Sequence, residues 1–174
     1  MLTLAHAAKR AVLVAAVTGV AALLATPVAA SADTIDSGVL ARVPAEFAPW
    51  IHAAPTTCAA AQITPAFVAA QLEAEADFDS AAIGPLGQAG AAQLFPVVAA
   101  ELPDDDGNGL ASPFDIGDAV HALVRIDCRL VDELTAAGKP TDPETIAAAY
   151  IAGVSDHMDL PAVREYARSV LDRV

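Results

Sequence analysis

Residues 64–96, TPAFVAAQLEAEADFDSAAIGPLGQAGAAQLFP, contain the signals that decide the fold of this chain. Thr64 comes directly before Pro65, an order typical of a helix start with threonine as N-cap and proline in the first turn. Apolar residues then recur at helical spacing, so the stretch predicts a helix over 66–76. The glycines and prolines that follow predict a turn and then a tight helix that ends at Gln93.

The rest of the chain also follows the helical period. Further helices are predicted over 96–102, from 116 to about 134, over 143–153 and over 161–174, with a polar, glycine-containing loop over 104–115. No segment alternates between apolar and polar residues for long, as a half-buried strand would. The sequence therefore predicts an all-α, or nearly all-α, single compact domain.

One glutamate near the end of the first helix lies on an apolar stripe. Val68, Leu72 and Glu75 fall at positions i, i+4 and i+7, whereas Glu73 lies well off this stripe and is expected to be solvated. Burial disfavours the charged form of a carboxyl group, so Glu75 is expected to keep its proton near neutrality. Such a group can donate a proton to a glycosidic oxygen. The alternative is an ordinary helix-end glutamate that is paired with an arginine or capped by backbone.

Three motifs in this chain resemble those of the soluble lytic transglycosylase domain and its goose-type lysozyme relatives, in the secreted actinobacterial form. The family reads roughly Glu-Ser-x-Phe-(Asp/Asn), then Ser-Pro-x-Gly-x-x-Gly-x-x-Gln-x-x-Pro, then Ala-Tyr-Asn-Ala-Gly. This chain has EADFD over 75–79, GPLGQAGAAQLFP over 84–96 and AYIAG over 149–153. The resemblance runs from about residue 45 to residue 174. It implies the α+β lysozyme-like superfamily, in an almost entirely helical form.

The resemblance also implies roles for individual residues. Glu75 would be the sole catalytic residue, which protonates the bond between N-acetylmuramic acid and N-acetylglucosamine. It would then act as a base while the muramyl 6-hydroxyl closes a 1,6-anhydro ring. Gln93 and Tyr150 match positions that line the sugar cleft, and Gly87 and Gly90 match positions of close backbone approach. Packing roles are the alternative for these four residues.

Three polar residues of the family pattern are replaced in this chain, by Ala76, Gly84 and Ile151. In the family these side chains hydrogen-bond the acid or the sugar, and each lost charge-assisted bond costs roughly 1.5–3 kcal/mol when its partner stays buried. Two alternatives to a transglycosylase therefore stay open. One is a weakened or inactive domain that binds cell-wall glycan or a protein, and the other is a lysozyme-like hydrolase.

The N-terminus predicts export. Lys9 and Arg10 precede an apolar run without charge over 11–24, and small residues follow up to Ala32, as in a secretory signal peptide. We expect a signal peptide over 1–32, a flexible leader over 33–43 and the domain over 44–174, in a secreted, cell-wall-associated protein. A retained membrane anchor is the alternative.

The net charge of the chain limits the classes of partner that it can bind. The chain has a net charge of −13, which becomes −15 once the two basic residues of the signal are removed. Such a chain repels phosphate backbones, so no nucleic acid is expected. The expected partners are peptidoglycan strands, with no membrane contact after signal cleavage, and the protein is expected to be a monomer.

Cys58 and Cys128, an even pair in an exported chain, predict a disulfide, with two buried free thiols as the alternative.

The polar loop carries a possible calcium pattern. Six of its residues match positions 1, 3, 5, 6, 9 and 12 of a twelve-residue calcium loop. They are, in this order, Asp104, Asp106, Asn108, Gly109, Ser112 and Asp115. At position 7, Leu110 would offer its backbone carbonyl. No cofactor is required by the expected chemistry, so this calcium would be structural. An acidic surface turn is the alternative.

Overall fold

The structure is a computed structural model and describes residues 38–174. Residues 38–40 are helical. The α-helices that follow are α1 (Ala48–Ala53), α2 (Pro65–Ala76), α3 (Pro96–Ala99), α4 (Ile116–Ala136), α5 (Pro143–Ala152) and α6 (Pro161–Leu171). Short 3-10 helices span Ala54–Thr57 and Asp156–Asp159. Within the described range there is no β-strand, only two isolated bridges, so the prediction of an almost entirely helical single domain is confirmed.

Side chains cap the starts of α2, as predicted for Thr64, and of α4. The Thr64 side chain accepts a hydrogen bond from the Phe67 backbone N–H, and Pro65 occupies the first turn of α2. Asp115 caps α4 by accepting from the backbone N–H of Gly117. These bonds satisfy N–H groups that the first helical turn leaves without a partner.

Helix α2 lies at the centre of the molecule. Every residue from Ala66 to Leu72 is buried, and α2 packs against α1, α4 and α6. Because α2 is surrounded, its first two turns are apolar on all sides apart from the buried Gln71. The largest fully buried hydrophobic side chains of the core are Phe47, Phe67, Ile51, Leu72, Leu94, Leu123, Leu134 and Ile146.

Helix α2 ends at Ala76, one residue after Glu75, because the backbone of the next two residues is not helical. Asp77 and Phe78 have φ values of 51° and 61°, in the left-handed region that costs a residue with a Cβ roughly 1–2 kcal/mol. The Phe78 ring offsets this cost because it is buried and meets Phe47 edge-to-face at 5.4 Å between ring centroids. Glu75 is therefore fixed in the last turn of a buried helix.

Two sequence predictions need correction. Residues 84–95 form turns held by antiparallel bridges between Ile83 and Ala89 and between Ala89 and Leu94, and not a tight helix. The expected short helix after them is also shorter, ending at Ala99. A pattern of small residues and glycines has no periodic apolar face, so local sequence could not separate helix from turn here.

The N-terminal boundary is also earlier than predicted. Val39 is fully buried and Arg42 hydrogen-bonds Glu73, so residues 38–43 pack on the domain instead of forming part of a flexible leader. The predicted signal peptide and the remainder of the leader lie outside the described residues. Among the residues described, no helix is both long and apolar enough to cross a bilayer.

The predicted disulfide is confirmed. Cys58, just after the first 3-10 helix, is bonded to Cys128 in α4, with 6.0 Å between the two Cα atoms. The bridge closes a loop of 70 residues. In the chain-entropy model such a loop contributes about 4 kcal/mol to the free energy of unfolding. It fixes α4 against the segment that leads into α2.

Candidate active site

A cleft of about 440 Å³ opens beside the last turn of α2. Its walls come from α2, the 84–95 turns, α3, α4 and α5. The lining residues are Glu75, Leu86, Gln88, Gln93, Leu94, Phe95, Val98, Ile126, Arg129, Tyr150 and Ile151. Three of the predicted site residues, which are 75 residues apart at the extremes, therefore meet in one cleft that is mainly apolar.

Glu75 is the carboxyl group of this cleft. Burial raises its pKa from the ordinary 4.5 to about 7, while a hydrogen bond from the Tyr166 hydroxyl acts in the opposite direction. The Tyr166 hydroxyl donates to Oε1 of Glu75. Because that oxygen is engaged, Oε2 is the atom free to hold or release a proton towards the cleft. A carboxyl group with this pKa can act as an acid and then as a base near neutral pH.

Glu73 has the opposite environment. Its oxygens accept bonds of 3.0 and 2.8 Å from Arg42, and Arg173 lies 4.0 Å away. The Arg42 hydrogen bonds lower the pKa of Glu73. The sequence predicted a solvated Glu73, but its side chain is only 17% exposed and is held by arginines. The arginine pairing considered as an alternative for Glu75 belongs to Glu73.

Gln93 and Tyr150 line the cleft as predicted, yet each gives a hydrogen bond to the protein. The Tyr150 hydroxyl donates to the Ala92 carbonyl at 2.7 Å, and Gln93 Nε2 donates to the Gly90 carbonyl at 2.9 Å. Gln93 also has a left-handed φ of 46°, a conformation that tends to occur at functional sites. The two side chains therefore form a fixed wall that faces Glu75.

The two predicted glycine sites do not line the cleft. Gly90 is buried with φ of 72°, and a Cβ there would lie 1.7 Å from the Pro113 carbonyl oxygen. Its close backbone approach is thus to the loop before α4 and not to a ligand. Gly87 lies at an exposed turn, where its N–H donates to the Gly84 carbonyl. Neither glycine lines the cleft, and their assignment to substrate contact stays a prediction.

The replaced family residues leave a less polar cleft. Ile151 is 43% exposed and lines it. At Gly84 a Cβ would lie 2.5 Å from the Oε1 atoms of both Gln88 and Gln93, so these two amides occupy the space of a longer side chain. A side chain at position 84 would therefore collide with these two amides.

Sequence reasoning missed several residues at this site. Tyr166 contacts Glu75 although 91 residues separate them, and Ile126 and Arg129 of α4 line the cleft. The sequence signal for Tyr166 is its helical spacing from Val163 and Val170, which is typical of a core residue and indicates no polar contact. A second depression of about 400 Å³ shares Val98, Ile126 and Arg129 with the first, so the two are continuous.

The acidic loop before α4 brings some of its predicted ligands together. Carboxylate oxygens of Asp104, Asp106 and Asp118 lie within 4.8 Å of one another. Asp118 was not predicted, because it lies beyond the twelve-residue pattern. Asp115, the predicted last ligand, lies outside this carboxylate group; it caps α4 and accepts from Asn108 Nδ2 at 2.8 Å.

The other predicted ligands serve the loop itself. Asn108 Oδ1 accepts from the Leu110 N–H and Ser112 Oγ from the Phe114 N–H. Asp104 accepts three backbone N–H bonds, from Gly107, Asn108 and Gly109. The loop is thus ordered by its own hydrogen bonds, with three carboxylates converging near its base.

Comparison with solved structures identifies the fold. The chain is similar to the 70 kDa soluble lytic transglycosylase of Escherichia coli, with a TM-score of 0.58 and 15% sequence identity over 76% of this chain. It spans 24% of the length of that protein. No protein-family model and no curated protein matches by sequence. The domain has a lysozyme-like helical fold.

Proposed function

We propose that this protein is a secreted lytic transglycosylase that acts on the glycan strands of peptidoglycan. The observation that carries the proposal is Glu75, a mostly buried carboxyl group with its pKa raised to about 7, in a cleft of sugar-binding size. The likeness in fold to a soluble lytic transglycosylase and the three motifs support the same reading. The disulfide suits an oxidising compartment outside the cytoplasm.

The proposed reaction uses one side chain twice. Glu75 donates its proton to the glycosidic oxygen between N-acetylmuramic acid and N-acetylglucosamine, and the bond from this oxygen to muramyl C1 breaks. The muramyl O6 then bonds to C1 while its hydroxyl proton passes to Glu75. The carboxyl group ends protonated, no water is consumed, and the product carries a 1,6-anhydro ring. A pKa near neutrality suits both half-reactions.

The test is product analysis with a matched control. Purified mature protein is incubated with peptidoglycan, and the released fragments are weighed by mass spectrometry. Anhydro ends, lighter than hydrolysis products by one water, are expected from the parent protein and from Glu73→Gln, and not from Glu75→Gln. Products of full mass that depend on Glu75 would instead identify a hydrolase.

A binding module is the second candidate, and the cleft composition favours it. Ile151 adds an apolar surface where the family pattern has an amide, and the Gln93 and Tyr150 donors are engaged by the backbone. In this case the protein sediments with peptidoglycan, releases no fragment, and behaves identically after Glu75→Gln.

We further propose that the acidic loop binds calcium through Asp104, Asp106 and Asp118. Three carboxylates so close together repel one another, and a hard divalent cation relieves that repulsion. Millimolar calcium is expected to raise the melting temperature relative to chelator, and Asp106→Asn to reduce that rise. Identical melts in calcium and in chelator would leave the loop as an acidic turn.

A further inference from the structure

Helix α4 carries two fully buried aspartates, Asp118 and Asp127, whose hydrogen bonds differ. Both Asp118 oxygens accept backbone N–H groups, from Asp105 at 2.7 Å and from Ser112 at 2.9 Å. A carboxylate without a proton can only accept hydrogen bonds, and these two donors meet that need. Asp118 is therefore satisfied as an anion.

Asp127 is not satisfied in the same way. Its Oδ1 accepts from Gln71 Nε2 at 3.2 Å, but its Oδ2 has no hydrogen-bond partner among the described residues. Gln71 is also fully buried, and its Oε1 likewise has no partner in this part of the chain. Each side chain of this hydrogen-bonded pair thus buries one acceptor without a donor, and each unsatisfied atom costs roughly 1–3 kcal/mol.

A single proton resolves both deficits. A protonated Asp127 becomes a donor at Oδ2, and Gln71 Oε1 is the acceptor that lacks one. The carboxylic acid and the amide then exchange two hydrogen bonds, one in each direction. An ionised Asp127 would leave both atoms unsatisfied and would also bury a charge that no cation neutralises, which is far more costly.

The groups around Asp127 favour the same protonation state. Burial raises its pKa well above the ordinary value, the bond from Gln71 lowers it, and the charge of Glu75 raises it further. Tyr150 of α5 and Tyr166 of α6 in turn have pKa values that are raised by burial, by Glu75 and by Asp127. The titratable neighbours of Asp127 are therefore all acids.

The position of Gln71 links this pair to the cleft. Gln71 and Glu75 are four residues apart on α2, so their side chains lie on the same face, one turn from each other. Asp127 itself does not line the cleft, whereas its neighbour Ile126 does. Asp127 cannot touch a ligand there, but it can hold the α2 face that presents Glu75.

We propose that Asp127 keeps its proton at neutral pH, forms a reciprocal acid–amide pair with Gln71, and through this pair acts as a positioning residue for Glu75. The catalytic meaning of that position rests on the proposed function, whereas the protonation of Asp127 does not. The pair fixes α2 against α4 behind the cleft.

The experiment compares Asp127→Asn with Asp127→Ala. Asparagine offers one donor and one acceptor, as the neutral acid does, while alanine offers neither. The readouts are the titration midpoint of the Glu75 carboxyl carbon by NMR and the melting temperature at pH 5.5. Asp127→Ala is expected to lower both, because water entering the cavity relieves the desolvation of Glu75. Asp127→Asn is expected to restore the midpoint to near the parent value.

Asp118→Asn, measured in chelator so that the proposed calcium site plays no part, is the matched control on the same helix. It places an amide N–H₂ opposite a backbone N–H, so it should lower the melting temperature without moving the Glu75 midpoint. Infrared spectra in a Glu75→Gln background provide a direct check. A carbonyl stretch of a protonated carboxylic acid is expected at pH 7, and it should disappear after Asp127→Asn.

The proposal is overturned if Asp127→Asn moves the Glu75 midpoint and the melting temperature as far as Asp127→Ala does. It is also overturned if the protonated-acid band is absent at pH 7. None of these measurements requires catalysis, so a failure to cleave peptidoglycan would count against the proposed function and not against the pairing of Asp127 with Gln71.

Discussion

The last turn of α2 has two faces that treat the same residue type in opposite ways. On one face Glu73 accepts two hydrogen bonds from Arg42, which lower its pKa. On the other face Glu75 lies in a mainly apolar cleft with a tyrosine hydroxyl as its partner, and burial raises its pKa to about 7. A single helical residue, Ala74, separates an ion-paired glutamate from a candidate acid.

The comparison shows which force decides the state of a carboxyl group. An adjacent arginine stabilises the charged form, whereas removal from water destabilises it. Because a rotation of about 200° separates residues i and i+2 on a helix, one short segment can have both environments. The following predictions test whether the two faces differ as described, from the largest effect to the smallest.

Glu75→Gln is expected to reduce the release of anhydro fragments by at least about 10³-fold, since acid–base catalysis by one positioned group contributes about 10²–10⁴-fold and Glu75 would serve in both steps. Glu73→Gln removes a carboxylate of the same length two residues away and is expected to leave release within about threefold, as an effect of about 0.6 kcal/mol or less, because Glu73 is paired with Arg42 and does not line the cleft. Release is measured by mass spectrometry of soluble fragments. Equal losses of fragment release in the two variants would show that the two faces of α2 do not differ in their role.

The pH dependence of the free energy of unfolding should differ in sign between the two faces. The folded pKa of Glu75 is raised, so its contribution is fully present below pH 4.5 and is lost as the pH rises through about 7. At about 1.4 kcal/mol per pKa unit, this loss amounts to about 3 kcal/mol. In urea unfolding from pH 4.5 to 8, the free energy of unfolding of Glu75→Gln should therefore rise relative to that of the parent by about 3 kcal/mol.

The folded pKa of Glu73 is lowered, so its contribution is present above the ordinary value of 4.5 and is lost as the pH falls through the folded pKa. When the urea series is extended to pH values below the folded pKa of Glu73, Glu73→Gln should be destabilised relative to the parent near neutrality and should approach it at the acid end. A Glu75→Gln curve parallel to the parent curve would show that Glu75 is not desolvated.

Tyr166→Phe tests the single hydrogen bond on the cleft face. The hydroxyl favours the ionised form of Glu75, so its loss should raise the midpoint of Glu75 by about one pKa unit, as expected for a charge-assisted bond. Tyr150→Phe is the control, because its hydroxyl donates to the Ala92 carbonyl. The measurement is the NMR titration of the Glu75 carboxyl carbon. A larger shift of the Glu75 midpoint in Tyr150→Phe would identify Tyr150, and not Tyr166, as the hydrogen-bond donor to Glu75.

Ile151→Asn returns an amide to the cleft and should have the smallest effect. One added hydrogen bond to a sugar is worth about 1 kcal/mol, which corresponds to about a fivefold gain in kcat/KM for peptidoglycan. Ile151→Ala removes the apolar bulk without adding a donor. It therefore distinguishes the effect of more room in the cleft from the effect of the added hydrogen bond. An equal gain in both variants would mean that Ile151 only obstructs the cleft.

The sequence predicted the parts of this site that lie on one helix or in one motif. The period of 3.6 residues placed Glu75 with Val68 and Leu72 and separated it from Glu73, and the structure has this arrangement. Capping by Thr64 was predicted correctly for the same reason, since it depends on residues that are adjacent in the chain. The turns over 84–95 were not, because glycine and alanine permit several backbone conformations.

The sequence by itself determined a helical domain, its Cys58–Cys128 bridge and a glutamate on an apolar stripe. Only the tertiary structure decided that Glu73 would meet Arg42, that Tyr166 would reach Glu75, and that Asp127 would be buried against Gln71. The physical reason is that helical periodicity fixes the direction of a side chain, whereas its pKa depends on what packs against it. Those neighbours come from helices up to 91 residues away.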